Sequence, residues 1–462
     1  MIALVRTAMP PSLPVLLLTV LTLTGCAGNS VMTPYPMRAG GYTHALALAN
    51  LPPAIADARK VTRGRDAVLA RLEEGRLAQL QGDAAASRAA FAEADRLERL
   101  EDGKAALSVS QTASQGLSLV SNDNVITYRP PVYEQIFLHT YQALNYLSAN
   151  DREGALVEMR QAQTLQDKAR DKHDDKDTAQ PLPPAALAHY SGETANLNDL
   201  AARTGSASQN AWSLYLAGVL YEAAGQWDDA YIDYKRALAL TPEHPVLAQD
   251  VARLAARLNR REDFSLLKLP KPAPAAKADE GSVVVLFEEG LVPPRQELFL
   301  PFPWPEAWYV LAIPYYPQPW QVSAPLSLEH RALKQPVLTR PVTDVQALAA
   351  RALKDRLPAL LLRQTLRAQT KHRMQEQSAD KGGGLLGVLV GAWNLISEQA
   401  DLRSWLTLPR YTHIARFNLP EGEQEIRLNG VTSVKLTVNR QRLTLLRVVQ
   451  VDNQYYAASW PL

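Results

Sequence analysis

The chain has 462 residues, of which 47% are hydrophobic and 21% are charged, with a formal net charge of +2 and one cysteine. This length predicts roughly two to four domains, and the composition excludes a globally disordered chain. The near-neutral charge argues against a protein whose whole surface follows nucleic acid or anionic lipid. One cysteine excludes an intramolecular disulfide framework and any metal site built from several cysteines.

The N-terminal residues 1–25 are predicted to form a secretion signal. Arg6 supplies a weak positive charge, and the apolar run 15–23 that follows is too short to cross a bilayer comfortably. The run ends in Leu23-Thr24-Gly25-Cys26, which resembles a bacterial lipobox. The alternative is an ordinary signal peptide followed by an incidental cysteine.

The lipobox resemblance implies that Cys26 becomes the mature N-terminus and carries diacylglycerol on its thiol and an acyl chain on its new amino group. Several acyl chains would anchor the protein firmly, and no other cofactor is expected. By resemblance to lipoprotein sorting rules, Ala27 after the cysteine favours the outer membrane. Most of the chain would then lie in the periplasm, after a lipidated tether of residues 26–50 that is rich in Pro, Gly and Ala.

Residues 51–268 are predicted to form an all-α repeat domain. The segment Trp212–Pro242 matches the tetratricopeptide pattern, in which small residues let two helices approach and large residues fill the space between them. Its pattern positions are Gly218, Tyr221, Gly225, Ala230, Tyr234, Ala237 and Pro242. Weaker copies upstream place Gly75, Gly82, Phe91, Ala143, Tyr146 and Ala155 at equivalent positions. Such units stack into a solenoid that either binds a partner or serves only as a helical scaffold.

A Pro/Ala linker at residues 269–280 separates this half from residues 281–462, which are predicted to form an α+β domain. Apolar runs predict strands at 282–287, 412–419, 425–428, 433–438 and 443–451. Helices are predicted at 345–357, at 359–377 after Pro358, and at 385–400. The expected architecture is a β-sandwich-like domain with a helical insertion, following the solenoid.

The interval 293–320 holds eight prolines and eight aromatic residues, a composition that suits edge strands and loops. Four of the aromatic side chains could form a surface for stacking against sugar rings: Trp304, Trp308, Tyr315 and Trp320. The alternative is that these aromatics belong to a hydrophobic core.

Residues 382–387 satisfy the G-x-G-x-x-G pattern, but a polar segment precedes them where a dinucleotide site requires a strand. The spacing of Gly383, Gly387 and Gly391 instead predicts a helix face that another backbone can approach closely. A buried core helix is one interpretation, and a helix that inserts into a membrane or binds a partner is the other. The basic residues between Arg363 and Arg373 are interpreted as a solvated helix face, with contact to anionic lipid headgroups as the alternative.

Catalytic patterns are absent from the sequence. G-x-S-x-G, H-E-x-x-H and the phosphate-binding P-loop do not occur, and no two of the eight histidines have metal-ligand spacing. A cysteine nucleophile is excluded if Cys26 is lipidated. Carboxylate-pair chemistry stays open, but we expect a protein that is not an enzyme and binds no metal.

Three segments resemble a little-characterised family of bacterial tetratricopeptide-repeat lipoproteins: the lipobox, residues 133–147 and residues 398–409. Genes of that family often lie beside those for lipoproteins similar to penicillin-binding-protein activators, which implies work in the cell envelope. We therefore expect a non-catalytic scaffold that binds envelope proteins, possible partners including another lipoprotein, and no nucleic acid. The alternative is a peptidoglycan- or polysaccharide-binding assembly factor that acts through residues 281–462.

Overall fold

The computed structural model describes residues 35–108, 127–174, 195–304, 307–379 and 400–462. The fold is mixed α+β, with helices in the N-terminal half and strands in the C-terminal half, as the sequence predicts. The first half contains α1 Tyr35–Ala47, α2 Pro52–Arg59, α3 Ala67–Gln81, α4 Ala84–Ser108, α5 Val132–Ser148, α6 Arg152–Asp174, α7 Ala195–Ala201, α8 Ala211–Ala223, α9 Trp227–Leu240, α10 Pro245–Arg257 and α11 Glu262–Leu266. The second half contains β1 Glu280–Glu289, β2 Gln296–Trp304, β3 Ala307–Tyr315, β4 Ser327–Glu329, β5 Val337–Leu338, β6 Arg340–Asp344, α12 Val345–Ala379, β7 Tyr411–Pro420, β8 Gly422–Leu428, β9 Thr432–Val438, β10 Leu443–Val451 and β11 Gln454–Pro461.

Three helical hairpins, α3–α4, α5–α6 and α8–α9, follow the predicted small-to-large pattern. A Cβ atom on Gly75 would lie 2.5 Å from the ring of Phe91, and one on Gly218 would lie 2.6 Å from the ring of Tyr234. Only glycine therefore permits these helix approaches. Gly82 ends α3 with a φ of +91°, in the left-handed region that favours glycine. Successive hairpins contact one another through α4 and α5 and through α6 and α8.

The remaining pattern positions also pack between helices. Four of them are fully buried: Ala143, Ala155, Ala230 and Ala237. Tyr146 is half-buried, with its ring against the backbone of Gly154, and Tyr221 is buried. Gly225, with a φ of +76°, forms the turn before α9, and Pro242 lies just beyond the end of that helix.

Part of the predicted tether is helical and packed. Helix α1 occupies residues 35–47, and its Tyr35, Tyr42 and Leu46 side chains are buried. The Tyr42 and Tyr35 hydroxyls donate hydrogen bonds to carboxylates of α2 and α3, respectively. A tether prediction based on Pro and Gly content misses these apolar contacts, which order the segment from Tyr35 onward.

The described part of the C-terminal half contains three sheets, the smallest of which is the two-stranded sheet of β2 and β3. The five-stranded sheet has the order β11-β10-β1-β7-β6, with β1 parallel to β10 and the other neighbours antiparallel. The four-stranded sheet has the order β5-β4-β8-β9 and is antiparallel. Strand β11 was not predicted, because its polar and aromatic residues lack a simple alternation.

The five-stranded sheet is covered on both faces. Alternate residues of β1, Val283, Val285 and Phe287, share an apolar cluster with the four-stranded sheet. The intervening residues Val284 and Leu286 belong to the large cluster that contains the helical hairpins. The helices therefore pack directly on the five-stranded sheet. The two packed parts are the segments that precede and follow the predicted linker in the sequence.

One local prediction differs from the structure. Helix α12 continues through Pro358, which lies on an exposed face where the proline ring displaces no packed neighbour. The proline-rich interval contains β2 and β3, which pair with each other in a two-stranded sheet, so both are edge strands as the sequence predicts. Pro301 and Pro303 alternate along β2, so their missing N–H groups fall on the same edge of that strand.

Candidate functional site

A buried carboxylate joins the helices to the sheet. Glu288 of β1 is fully buried, and its two oxygens lie 2.5 Å from Arg76 Nη2 of α3 and 2.6 Å from Arg447 Nε of β10. The Tyr141 hydroxyl donates a third hydrogen bond at 2.8 Å. Burial raises the pKa of Glu288, while the Arg76 charge opposes that shift. We call Glu288, Arg76, Arg447 and Tyr141 the central ion cluster.

A second ion cluster lies at the other end of the helical array. Arg416 of β7 contacts Glu222 of α8 at 2.8 Å and Asp250 of α10 at 2.9 Å. Arg253 contacts the same two carboxylates at 2.7 and 3.0 Å. Burial raises the pKa of Glu222, but Arg416 and Arg253 outweigh it and lower the pKa to about 2. We call these four residues the lateral ion cluster.

A cleft of about 370 Å³ opens beside the lateral ion cluster, where α10, the linker and β7 meet. We call it the junction cleft. Its lining is mainly apolar but includes two guanidinium groups, and consists of Pro245, Val246, Gln249, Asp250, Arg253, Ala273–Ala276, Ser282, Arg416, Phe417 and Asn418. Gln249 fixes the linker by bonding the backbone of Ala273 and Lys271. A cleft of this composition at a junction between structural units suits binding of a small group or a peptide side chain.

Residues 401–409 form a segment without regular structure that we call the strap. Residues 402–409 are buried among the helices. The Trp405 N–H donates to Glu134 at 3.0 Å, and the Leu406 N–H donates to Glu73 at 2.9 Å. The Trp405 indole packs edge-on against the rings of Phe91 and Tyr141. The strap thus covers the surfaces of α3, α4 and α5 that carry Glu73, Phe91, Glu134 and Tyr141.

The two strap-binding carboxylates are themselves buried. Burial raises the pKa of Glu73 to about 7, although hydrogen bonds from Thr407, Leu406 and Tyr35 oppose the shift. Burial also raises the pKa of Glu134, against hydrogen bonds from Tyr128 and the Trp405 backbone. Both carboxyl groups compensate backbone N–H groups that an irregular buried segment would otherwise leave without partners.

A serine and a glutamate both lie within hydrogen-bond distance of a histidine, but not in the order that nucleophilic catalysis requires. Ser323 Oγ lies 2.9 Å from His413 Nε2, and Glu289 Oε2 lies 3.2 Å from the same nitrogen. The other nitrogen, Nδ1, lies 3.3 Å from the Thr339 hydroxyl. A serine–histidine–acid relay places the serine and the acid on opposite ring nitrogens. Arg410 also pairs with Glu289 at 2.6 Å, so these groups form a structural network.

The outer face of the four-stranded sheet carries a polar groove of about 620 Å³. Its described lining contains charged and polar side chains and no Phe, Tyr or Trp: Glu329, His330, Arg331, Glu423, Gln424, Glu425, Arg427 and Ser433. The His330 ring bonds to the Gln424 side chain at 3.0 Å. This surface offers both hydrogen-bond donors and acceptors.

Two members of the predicted aromatic set, Tyr315 and Trp320, do not line that groove. Trp304 and Trp308 lie in β2 and β3, opposite Ala307 and Pro303, and their side chains lie outside the described part of the structure. Tyr315 is half-buried at the end of β3. The Trp320 ring has the Arg203 guanidinium 3.7 Å from its centre, and its N–H donates to Asp344 at 3.0 Å. One face of that ring is therefore already in contact with an arginine.

Several predicted residues fall outside the described ranges: the lipobox residues Leu23, Thr24, Gly25 and Cys26, and the glycines Gly383, Gly387 and Gly391. The ion clusters were not predicted. Their only signal in the sequence is a charged residue inside or directly after an apolar strand, such as Glu288 after 282–287 or Arg447 within 443–451. Because charged residues are rarely buried without a partner, this pattern indicates an ion pair.

Within the described ranges, no group of three or more His, Cys, Asp or Glu side chains is arranged to hold a metal ion. The helices of the same ranges include none with the length and apolar character needed to cross a membrane. A scan against protein-family models, a search of curated proteins and a search of solved structures found no match to this chain.

Proposed function

We propose that the protein is a lipoprotein anchored in the bacterial outer membrane, which acts in the periplasm as a non-catalytic scaffold for envelope proteins. The lipobox at Cys26 supports the anchor. Replacing Cys26 by Ala should abolish labelling by a fatty-acid analogue and release the protein from membranes. Labelling that persists in this variant would contradict the anchor.

The scaffold is a tetratricopeptide-like solenoid followed by a β-sandwich-like domain with a helical insertion. In each of the three hairpins a glycine faces an aromatic ring, and this pattern supports the first assignment. The apolar cluster between the two sheets supports the second. The ion clusters at the helix–sheet boundary favour one fixed arrangement of the two parts.

The junction cleft is the observation on which the binding role depends. The helix surfaces that face the sheet are not open to a partner. Tyr215 of α8, for example, is fully buried and donates its hydroxyl hydrogen bond to Asp250. The strap and the five-stranded sheet cover the corresponding surfaces of other helices. An accessible apolar recess, the junction cleft, lies instead between α10, the linker and β7. A partner protein would insert an apolar side chain beside Val246 and the linker alanines, with the arginines providing the polar edge.

Co-purification from membranes tests this role. We expect Val246→Asp to lose a partner that crosslinks to the anchored protein, because a carboxylate would be desolvated in the cleft. Val431→Asp is the matched control, since Val431 is 80% exposed on the β8–β9 turn, away from the cleft. If Val246→Asp retains the partner and its thermal unfolding is unchanged, the cleft is not the binding site.

The polar groove on the four-stranded sheet favours a second candidate function, binding of peptidoglycan through its sugars and charged stem peptides. Arg427→Glu reverses a charge in the groove and should reduce retention of the purified protein on sacculi. Arg63→Glu makes the same change at an exposed position far from the groove in sequence and should have no effect. Equal retention of both variants and the unsubstituted protein would contradict glycan binding at this groove.

A further inference from the structure

The β2–β3 hairpin forms a two-stranded sheet of its own. Neither strand pairs with a strand of the other two sheets in the described residues. Each strand has nine residues, which corresponds to about 30 Å of extended chain. Apart from Gln296 and Glu297, both strands consist of aliphatic, aromatic and proline residues. A hairpin this apolar is unusual on a surface that faces only water.

The hairpin is attached to the rest of the molecule at its root and along part of β3. Arg295 donates to the Tyr316 hydroxyl at 3.3 Å and to the Arg403 carbonyl at 3.0 Å. The Gln364 amide of α12 donates to the Ala312 carbonyl at 2.5 Å. On β2, by contrast, the Phe299 side chain is 54% exposed. Phe299 thus presents an apolar ring to the outside.

The hairpin root lies beside the segment that leads to the predicted lipid anchor. A cleft of about 860 Å³ is lined by Thr43 and His44 of α1 and by Pro293, Pro294 and Gln318 at the root. Helix α1 begins at Tyr35, nine residues after Cys26, so the intervening chain can span at most about 30 Å. Acyl chains on Cys26 would therefore hold the membrane close to this side of the molecule.

Charge also favours a membrane on this side. Helix α12, which packs against β3, carries four basic residues in the interval 363–373 and no acidic residue there. Basic residues attract anionic headgroups, and Trp and Tyr, which the strands contain at 304, 308, 309 and 315, concentrate at the headgroup level of bilayers.

We propose that the β2–β3 hairpin lies in the headgroup region of the membrane that holds the lipid anchor, with α12 beside it against anionic headgroups. This contact rests on the proposed lipidation of Cys26 for its proximity to the bilayer. It would fix the orientation of the whole scaffold relative to the membrane, since a flexible anchor alone would leave the molecule free to rotate.

Site-specific fluorescence in vesicles tests the contact. Acylation of the only native cysteine leaves Phe299→Cys or Val431→Cys as a unique thiol for an environment-sensitive fluorophore. The full-length anchored protein is placed in phosphatidylethanolamine and phosphatidylglycerol vesicles that carry nitroxide-labelled lipid. We expect several-fold quenching of the probe at position 299 and little at position 431.

A second measurement needs no introduced probe. Brominated lipids should quench part of the tryptophan fluorescence of the unsubstituted protein, and Trp304→Phe with Trp308→Phe should remove part of that quenched fraction. Trp405→Phe is the control, because Trp405 is fully buried and should contribute none of it.

The outcomes separate the hairpin from the anchor. If the protein floats with vesicles and position 299 is no more quenched than position 431, the hairpin contact is overturned and the anchor stands. If Cys26 itself accepts the fluorophore, the anchor fails, and quenching of the hairpin tryptophans by added vesicles then decides the contact alone. If the emission of the fluorophore at position 299 shifts as the protein concentration in detergent rises, the hairpin contacts a second copy of the chain, and the proposal is overturned.

Discussion

The two faces of the five-stranded sheet are buried in different ways. The face toward the four-stranded sheet is apolar, with Val285 and Leu446 among its residues. The face toward the helices combines apolar residues with Glu288, Arg447 and Arg416, which are paired with groups on the helices or on neighbouring strands. Burial of apolar surface stabilises many relative orientations of two packed elements about equally. A buried ion pair is satisfied only when the two elements hold its charged groups at the correct distance and angle. The difference indicates that the charged face specifies how the helices dock.

The largest expected effect is on the charged face. Glu288→Ala leaves the Arg76 and Arg447 guanidinium groups buried without their carboxylate. We expect the free energy of unfolding to fall by about 4 kcal/mol, measured by urea denaturation. The combined change Arg76→Met, Glu288→Leu and Arg447→Met should recover most of that loss. A fall under about 1 kcal/mol for Glu288→Ala would mean that the cluster contributes little to the stability of the fold.

On the apolar face, the stability cost of a substitution should depend on the side-chain volume that is lost rather than on the chemical type of the new apolar residue. Leu446→Ala should cost about 3 kcal/mol through lost burial and a cavity, while Leu446→Met should cost under about 1.5 kcal/mol. Arg447→Lys, one position along on the charged face, should cost more than Leu446→Met, because lysine cannot bond both Glu288 and Gln79 in the same planar geometry. Equal costs for the two conservative changes would remove the distinction between the faces.

Protonation of Glu222 in acid should lower the free energy of unfolding, because it removes the charge that pairs with Arg416 on the charged face. Its pKa of about 2 in the folded chain lies below the usual value of 4.5, so its stabilisation is present above about pH 4.5 and is lost as the pH falls toward 2. The loss is as much as about 3 kcal/mol. Arg416→Ala should lower stability at neutral pH and reduce this acid dependence, as measured by chemical denaturation at several pH values. An unchanged acid dependence would contradict the role of Arg416.

The smallest expected effect concerns the strap and has the opposite sign with pH. The pKa of Glu73 is about 7 in the folded chain, above the usual 4.5, so its stabilisation is complete below about pH 4.5 and is lost as the pH rises through 7. From pH 5 to pH 8 the free energy of unfolding should fall by about 2 kcal/mol from this group. Glu73→Gln should remove that part of the fall, leaving the part due to Asp233, whose pKa burial also raises to about 7.

Periodic and local features of the fold could be predicted from the sequence. The glycine and alanine positions of the hairpins and the strand at 443–451 have patterns that depend only on nearby residues. Strand β11 could not be predicted because its polar and aromatic residues lack a simple alternation. The continuous helix through Pro358 could not be predicted because it packs against α7, which is distant in sequence. The candidate cleft joins residues from α10, the linker and β7, which no local pattern connects.

The sequence by itself determined the single cysteine within a lipobox-like motif, the small-to-large helix pattern and the change from helices to strands near the linker. These features follow from the types and spacing of neighbouring residues. Only the tertiary structure decided that Glu288 and Glu222 meet arginines from other elements, and that Glu73 and Glu134 hold the strap. Each of these contacts joins residues far apart in the chain, and a buried carboxylate is stable only where the folded chain brings donors to both of its oxygens.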